Sequence, residues 1–220
     1  MSAKKVYDKL MQTGIISAKG ETYFELHNIK TVIHDSSIVG NVIQEWLKSF
    51  MDAHSIQYRL KTNTQEFPDF LMNEHSDEVD LLEVKCFKKS PNFDVANLQA
   101  YSRSLLEKPY RLDADYLIIE YIAVHGGIVI KNIWLKKVWE ICCSSERSPL
   151  KTQVKQGFPY NIRPATFYSK RAKYKPFQTR REFVTALKSV IDVIPNMNNI
   201  QKDWYKKVSL LYKEQTNSEL

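Results

Sequence analysis

Three residues between positions 69 and 85 have the types and the spacing that metal-assisted chemistry requires. Asp69 follows Pro68, and after thirteen intervening residues the chain continues with Glu83-Val84-Lys85. On a β-strand Glu83 and Lys85 point to the same face, because side chains alternate with a period of two. The intervening residues are enough for a strand, a turn and a returning strand. We therefore expect Asp69 to lie beside Glu83 at a strand end.

Two converging carboxylates predict an oxygen-ligand site for a hard divalent cation, most naturally Mg²⁺. Such a site would bind a phosphate oxygen, activate a water molecule and neutralise the charge that develops during phosphodiester hydrolysis. Lys85 is predicted to orient this water or to stabilise negative charge. The alternative is a solvated strand face of alternating charges. Leu81 and Phe87 share the face of Glu83 and Lys85, so two charges on that face need partners or a metal.

Helix and strand signals surround this motif. Residues 38–52 carry an apolar stripe at helical spacing, and residues 35–37 (Asp-Ser-Ser) supply N-cap chemistry before them. Residues 56–60 and 66–72 are short strand-like runs, and residues 80–87 predict the strand that carries the Glu-x-Lys motif.

The chain after the motif alternates between helix and strand signals. Residues 94–107 suit a helix with Asp94 as its cap, and residues 115–124 are apolar enough to form the central strand of a sheet. Gly126-Gly127 tolerates positive φ, which predicts a hairpin turn that returns the chain as an antiparallel strand over residues 128–133.

Weaker signals complete the predicted architecture. Residues 21–34 alternate as a β-hairpin, residues 134–143 can be helical, and a final helix is expected over residues 199–213. Thr179 and Glu182 form a capping box that opens a helix through Ile194. The elements predict a mixed sheet with helices on both sides, an α/β or α+β fold.

Charge concentrates in one basic segment, residues 151–181. The net charge is +7, and this segment holds nine Lys or Arg and no acidic residue, so the remainder sums to −2. A polyanion-facing segment on a mildly acidic body is typical of a nucleic-acid enzyme. The alternative is a solvated basic loop. Six aromatic residues in the same segment indicate that part of it packs or stacks.

Length and composition favour one domain over residues 1–220, with a catalytic core over 36–143, a basic DNA-recognition segment over 151–181 and C-terminal helices over 179–214. Three cysteines, two of them adjacent, indicate reduced thiols and a cytoplasmic protein. The N-terminus shows no apolar signal region, and no apolar stretch approaches the roughly 20 residues of a membrane span.

Pro68-Asp69 and Glu83-Val84-Lys85 resemble the motif of the PD-(D/E)XK nuclease superfamily, type II restriction endonucleases in particular. The resemblance covers residues 36–133 as an αβββαββ core. It implies that Asp69 and Glu83 bind the metal and that Lys85 is the catalytic lysine. It also implies an extra acidic ligand on the preceding helix, for which Glu45 fits in type; a surface glutamate is the alternative.

Four longer sequence segments make the resemblance more specific. Restriction enzymes of the NgoBV type, which read GGNNCC, are similar to this chain in the segments TNTQEFPDFL, LLEVKCF, SPNFDVANLQAY and EKPYRLDADYLI. The implied activity is Mg²⁺-dependent, site-specific cleavage of double-stranded DNA in a restriction-modification system with a cognate methyltransferase. The antiparallel strand after Gly126 resembles the branch of the superfamily that approaches DNA from the minor groove, which implies blunt or near-blunt ends.

DNA contacts are expected from two regions, with residues 151–178 as the main recognition region. Arg and Lys suit guanine and phosphate, whereas Asn and Gln suit adenine. The candidates are Asn92, Asn97, Gln99, Arg103, Lys155, Arg163, Lys170, Arg171, Lys173 and Lys175. A palindromic duplex calls for a homodimer, and the predicted interface surfaces are the 21–34 hairpin and the final helix around Trp204, Tyr205 and Leu210.

Three other functions remain open at this point. A repair or junction-resolving nuclease would use the same chemistry on a different DNA structure. A non-catalytic DNA-binding domain would carry the motif by accident. A hydrolase based on His125 and Cys86 is the third, although each of these residues is more simply explained as structural.

Overall fold

The computed structural model describes residues 2–33, 38–63, 66–197, 200 and 202–220. Contacts divide the chain into two compact units. The first unit comprises Met1–Ser90 and Asp115–Lys136, and the second comprises Pro91–Ala114 and Lys137–Leu220. The predicted catalytic core of residues 36–143 therefore draws on both units. The predicted N-cap at residues 35–37 lies outside the described residues.

The first unit is built on a five-stranded sheet with the order β1-β8-β7-β5-β4. Its strands are β1 (Lys19–Glu21), β4 (Phe70–Leu71), β5 (Leu81–Lys88), β7 (Asp115–Val124) and β8 (Gly127–Lys137). The sheet is mixed, because β5 pairs with β7 in parallel, whereas the β4–β5 and β1–β8 pairs are antiparallel. The predicted α/β architecture with a mixed sheet is confirmed, and β7 is its central strand as expected.

The strand predictions before the motif were too long. Within residues 56–60 only Arg59 forms a bridge, to Leu71, and within residues 66–72 only Phe70–Leu71 is a strand. The predicted turn is shifted by one residue, because His125 and Gly126 form it and Gly127 begins β8. At Gly127 a Cβ atom would lie 2.0 Å from the carbonyl oxygen of Gly20 on β1, so only glycine permits this close pairing.

Two helices cover one face of this sheet, α1 (Ala3–Gln12) and α2 (Val39–Ala53). Leu10, Leu47 and Met51 are buried with the sheet residues Val84 and Leu117 in one hydrophobic cluster. The predicted apolar stripe of α2 is therefore the core-facing stripe, with one correction. Trp46 is 41% exposed, and the centre of its ring lies 5.2 Å from the centre of the Phe50 ring at the edge of this core.

A separate two-stranded sheet consists of β2 (Tyr23–Leu26) and β3 (Ile29–Val32). His27 and Asn28 form the turn with positive φ angles of 50° and 63°, the geometry of a type I′ hairpin. The hairpin predicted over residues 21–34 is present through residue 33, and its last residue lies outside the described part of the chain.

The described part of the second unit contains a three-stranded sheet and several helices. Its sheet has the order β6-β10-β9, formed by β6 (Ala96–Asn97), β9 (Thr152–Lys155) and β10 (Phe158–Ile162). Its helices are α3 (Leu98–Ser104), α4 (Val138–Ile141), α5 (Arg180–Ile191) and α6 (Trp204–Thr216). Short 3-10 helices span Pro109–Asp113 and Pro195–Met197.

Two helix predictions in this unit need correction. The cap of α3 is Asn97, whose side chain accepts a hydrogen bond from the Ala100 N–H at 3.0 Å, and not Asp94. Asp94 instead pairs with Arg163. The helix expected over residues 134–143 is limited to Val138–Ile141, because the chain stays in strand β8 through Lys137.

The C-terminal helices pack into the second unit. Thr179 caps α5 by accepting from the Glu182 N–H at 3.1 Å, as predicted, but the Glu182 carboxylate accepts from the Gln178 N–H at 2.7 Å and not from Thr179. The helix ends at Ile191, three residues before the predicted end at Ile194. Trp204 begins α6 and is fully buried, with its indole N–H donating to the Ser102 carbonyl at 2.9 Å. The prediction that Trp204 belongs to an exposed interface was therefore wrong. No helix among the described residues has the length and apolarity to cross a membrane.

Candidate active site

The pairing of β4 with β5 positions the two motif carboxylates. Phe70 pairs with Leu82 and Leu71 with Leu81 in an antiparallel register. One step further along this register Asp69 stands opposite Glu83, as the sequence spacing predicted. The Asp69 carboxylate also accepts a hydrogen bond from the Val84 N–H at 2.7 Å, which attaches it directly to β5.

Glu83 and Lys85 form an ion pair in a largely buried environment. The Lys85 Nζ lies 2.8 Å from Glu83 Oε1, and only 11% of the Glu83 side chain is exposed. Because β5 is covered on both faces along most of its length, the two charges are not on a solvated strand face. A buried carboxylate–ammonium pair of this kind resists reorientation, so Lys85 is held at a defined point beside the carboxylates.

Burial and the neighbouring Glu83 carboxylate raise the pKa of Asp69 to about 6. The Val84 N–H, the Lys85 ammonium and the Gln44 amide act in the opposite direction, because each favours the charged carboxylate. The site therefore holds more negative charge than its single lysine neutralises. A divalent cation between the two carboxylates would remove this repulsion, so the donor set fits a hard metal ion such as Mg²⁺.

Gln44 is a site residue that sequence reasoning missed. Its side chain on α2 hydrogen-bonds the Asp69 carboxylate, whereas the prediction selected the neighbouring Glu45. The available signal was the polar row formed by Asn41, Gln44 and Lys48 at helical spacing along the edge of the apolar stripe. An acidic residue is the better metal ligand by type, but the position of a side chain on the helix decides what it reaches.

Glu45 lies at the rim of the same site. It lines a polar pocket of about 370 Å³ together with Gln44, Lys61 and Asp69. Its own carboxylate pairs with Lys48 at 2.6 Å and is 70% exposed. Among the described residues no three His, Cys, Asp or Glu side chains gather as a ready metal cluster. The structure thus brings Asp69, Glu83 and Lys85 together and leaves Glu45 beside them with a different partner.

Comparisons with known proteins show the family to which the chain belongs. The family model for the NgoBV restriction endonuclease matches residues 1–220. The chain belongs to the NgoBV restriction endonuclease family. Type II restriction enzyme NlaIV of Neisseria lactamica is 37% identical over 222 residues, covering 99% of this chain and 91% of the relative. Type II restriction enzyme NgoBV of Neisseria gonorrhoeae is 35% identical over 149 residues, covering 66% of this chain and 85% of the relative.

A solved structure of the NlaIV restriction endonuclease has the same fold. It superposes with a TM-score of 0.93 at 36% sequence identity, covering 100% of this chain and 92% of the other. As a member of the NgoBV family, the chain is a type II restriction endonuclease that cleaves DNA at specific sites. This family membership decides against the repair nuclease, the non-catalytic DNA-binding domain and the hydrolase of His125 and Cys86. Burial raises the pKa of the Cys86 thiol to about 12, so this thiol is a poor nucleophile.

The predicted DNA contacts of this NgoBV-family enzyme fall into two groups. Arg163 and Asn97 have partners inside the second unit. Arg163 contacts Asp94 at 2.9 Å, Gln153 at 2.8 Å and the Asn92 carbonyl, and Asn97 caps α3. The other eight candidates lie on the surface or are half-buried: Asn92, Gln99, Arg103, Lys155, Lys170, Arg171, Lys173 and Lys175. Lys155 and Lys173 stand over the rings of Tyr160 and Tyr174.

Proposed function

We propose that this restriction endonuclease cleaves DNA with Mg²⁺ held by Asp69 and Glu83, and with Lys85 as the catalytic lysine. The observation that carries the proposal is the β4–β5 register, which sets Asp69 opposite Glu83 while Lys85 lies 2.8 Å from the latter. When bound, the metal supplies Lewis-acid activation of the phosphate and of a water molecule. The comparisons support a restriction endonuclease, and the donor chemistry of the site supports the metal.

The acidic side chains and the lysine have different proposed roles, which follow from their charges. Asp69 and Glu83 provide the anionic oxygens, and the excess negative charge expressed in the raised pKa of Asp69 is the driving force for cation binding. Lys85 supplies the positive charge that stabilises the developing negative charge of the phosphorane and orients the attacking water. Its ion pair with Glu83 restricts the ammonium to this position before DNA arrives.

Gln44 acts through Asp69 as a positioning residue. Its amide hydrogen-bonds the carboxylate and favours the ionised form, which is the form that binds a cation. Glu45 is proposed as an additional metal ligand at the rim of the pocket. To reach this role its carboxylate must leave Lys48, to which it is bound at 2.6 Å.

A pair of lysines on one strand tests the assignment. We expect Lys85→Ala to abolish cleavage of a sequenced plasmid in Mg²⁺, whereas Lys88→Ala, at the exposed end of the same strand β5, cleaves like the wild type. Binding of DNA in Ca²⁺ measures folding and affinity separately from chemistry. Equal cleavage by the two variants would refute the role of Lys85.

The same digest tests the recognition sequence. We propose GGNNCC, from the resemblance to the NgoBV type, and blunt or near-blunt ends, from the antiparallel strand β8. Discrete fragments that map to GGNNCC positions and ligate without overhangs are the expected result. Fragments that map elsewhere, or long overhangs in the sequenced termini, contradict the respective proposal.

The proposed assembly is a cytoplasmic homodimer on double-stranded DNA, accompanied genetically by a cognate methyltransferase. The described part of each chain contains one Asp69–Glu83–Lys85 set, and two strands must be cut. A two-fold dimer supplies one set per strand and matches a palindromic site. Sedimentation of the protein with a duplex containing the site is expected to show two chains per duplex; one chain per duplex contradicts it.

A further inference from the structure

The β2–β3 hairpin presents one uncharged face that nothing in the described chain covers. The register pairs Phe24 with Thr31 and Leu26 with Ile29, so these four side chains share one face. Phe24, Leu26 and Ile29 are 56%, 66% and 69% exposed. Exposed apolar residues on a single loop are common, but three on one face of a two-stranded sheet are not.

The opposite face of the hairpin has a different character. It carries Glu25 opposite Lys30, and the Lys30 ammonium stands 3.7 Å above the Tyr23 ring. This face therefore carries two charged residues between Tyr23 and Val32, which are 51% and 42% exposed. The asymmetry singles out the face of Phe24, Leu26 and Ile29, which we name the apolar face, as the one that requires a partner.

The hairpin is also attached in a way that keeps it in place. The Thr22 N–H donates to the Gly126 carbonyl at 3.5 Å, and the Ile33 N–H donates to the Thr22 carbonyl at 2.9 Å. The ends of the hairpin are therefore bonded at the β7–β8 turn. An isolated two-stranded sheet is marginally stable in water, so an exposed one gains stability from a partner that buries its apolar face.

We infer that the apolar face is the centre of the contact between two copies of this chain. A face without Lys or Arg offers nothing to a phosphate backbone, which argues against DNA as its partner. In a two-fold contact a patch meets itself, and an uncharged apolar face is self-complementary, whereas a face with fixed charges is not. The inference rests on the proposed two-subunit function, and it adds the surface through which the two subunits associate.

The size of the apolar face agrees with this role. Three side chains of this type and exposure amount to on the order of 300 Å² per copy, roughly the apolar core of a standard interface with ~800 Å² per partner. The unpaired edges of β2 and β3 provide backbone donors and acceptors that surround this core. The contact therefore has an apolar centre and a polar rim, the usual anatomy of a stable interface.

A matched pair of double variants tests the inference. Leu26→Ser/Ile29→Ser removes the centre of the apolar face. Val193→Ser/Leu210→Ser removes two side chains of similar exposure, 69% and 53%, from the second unit. Leu210 belongs to the other surface that was predicted as an interface, the final helix. Sedimentation equilibrium of full-length protein without DNA or metal gives the dimer dissociation constant, and circular dichroism reports folding.

We expect the wild type and the Val193→Ser/Leu210→Ser variant to sediment at twice the 25.8 kDa chain mass. The Leu26→Ser/Ile29→Ser variant should keep its circular dichroism spectrum and dissociate at least about 100-fold more readily. A monomeric wild type overturns the inference, as does a hairpin variant that dimerises normally. Loss of the dimer only in the Val193→Ser/Leu210→Ser variant moves the interface to α6 and also overturns it.

A cross-link provides a second measurement that does not depend on a destabilising substitution. Leu26→Cys adds a thiol to the apolar face; the native Cys142 and Cys143 are buried and Cys86 is half-buried, so the wild type treated with the same reagent is the control. A short bismaleimide should then join two chains, and a thiol at Val193 should not be joined. Because Asp69→Asn leaves the hairpin unchanged, the Leu26→Cys variant carrying it must cross-link equally, which separates this result from failure of the proposed chemistry.

Discussion

The motif region and the basic segment use charged residues in opposite ways. In the first unit Glu83 is 8% exposed, and Asp69, Glu83 and Lys85 interact with one another and with backbone groups. In the second unit Lys170, Arg171 and Lys175 stand on the surface. Buried charges need defined partners, so their geometry is set before substrate arrives, whereas exposed lysines keep solvent as a partner and exchange it for phosphate on binding.

Catalysis and recognition thus impose different demands on a chain. Strand register can fix a catalytic group to a fraction of an ångström, and two paired strands suffice for it. Phosphate contact needs only charge at the right distance and tolerates mobile side chains. Substitutions in the motif region should therefore lower the cleavage rate, whereas substitutions in the basic segment should lower the affinity for DNA.

The largest effect is expected in the motif region. Asp69→Asn should lower the single-turnover cleavage rate by on the order of 10³-fold or more, since it removes a proposed metal ligand together with its negative charge. DNA affinity in Ca²⁺, measured by filter binding, should change by less than about tenfold. A variant that loses affinity and rate in equal proportion would mean that Asp69 serves binding rather than chemistry.

In the basic segment the order of sensitivity is reversed. Lys170→Ala/Arg171→Ala/Lys175→Ala should weaken DNA binding by roughly 10- to 100-fold at physiological salt and lower the slope of log affinity against log salt by up to about 2.7. The rate at saturating enzyme should be unchanged. The control removes three exposed lysines of another surface, Lys202, Lys206 and Lys207, and an equal loss of affinity there would show that net charge alone matters.

The third experiment uses the pH dependence of stability in EDTA. Burial beside Glu83 raises the pKa of Asp69 from its ordinary value of 3.8 to about 6, so the folded state binds this proton more tightly than the unfolded state. The resulting contribution to stability is fully present below about pH 4 and is lost as pH rises through 6. Asp69→Asn should therefore be more stable than the wild type at pH 7, by about 1–2 kcal/mol, and nearly equal at pH 4.

Urea unfolding at both pH values measures this difference, and Mg²⁺ should reverse it by stabilising only the wild type. Gln44→Ala, which removes an interaction that lowers the pKa of Asp69, should deepen the loss of stability at pH 7. A stability difference between Asp69→Asn and wild type that is the same at pH 4 and pH 7 would contradict the repulsion between the carboxylates.

The smallest effect separates two residues of the basic segment. Arg163 is bonded to Asp94 and Gln153, so Arg163→Ala should cost about 1 kcal/mol of unfolding free energy, whereas Lys155→Ala, exposed on β9, should cost less than about 0.5. Thermal or urea denaturation distinguishes them. If Arg163→Ala instead keeps full stability and loses DNA affinity, then Arg163 belongs with the DNA contacts as first predicted.

How much the sequence could predict follows from the range of each interaction. The clearest apolar patterns lie in residues 38–52, 115–124 and 128–133, and helix α2 and strands β7 and β8 form there. Short segments were less predictable: only two residues of 66–72 are in a strand, because the partner strand β5 sets the length of the pairing. The helix begins at Leu98 and not directly after Asp94, because Ala96 and Asn97 pair with the distant strand β10 as strand β6.

The grouping of Asp69, Glu83 and Lys85 was predictable from the sequence alone, because Glu83 and Lys85 are two residues apart on one strand and a single strand pairing brings Asp69 beside them. Only the tertiary structure decided the surroundings. Gln44 and not Glu45 reaches Asp69, and this depends on the rotation of α2 over the sheet, which the apolar stripe specifies only within one position. Trp204 is buried and Leu26 is exposed for the same reason: burial depends on long-range packing that hydrophobicity alone does not encode.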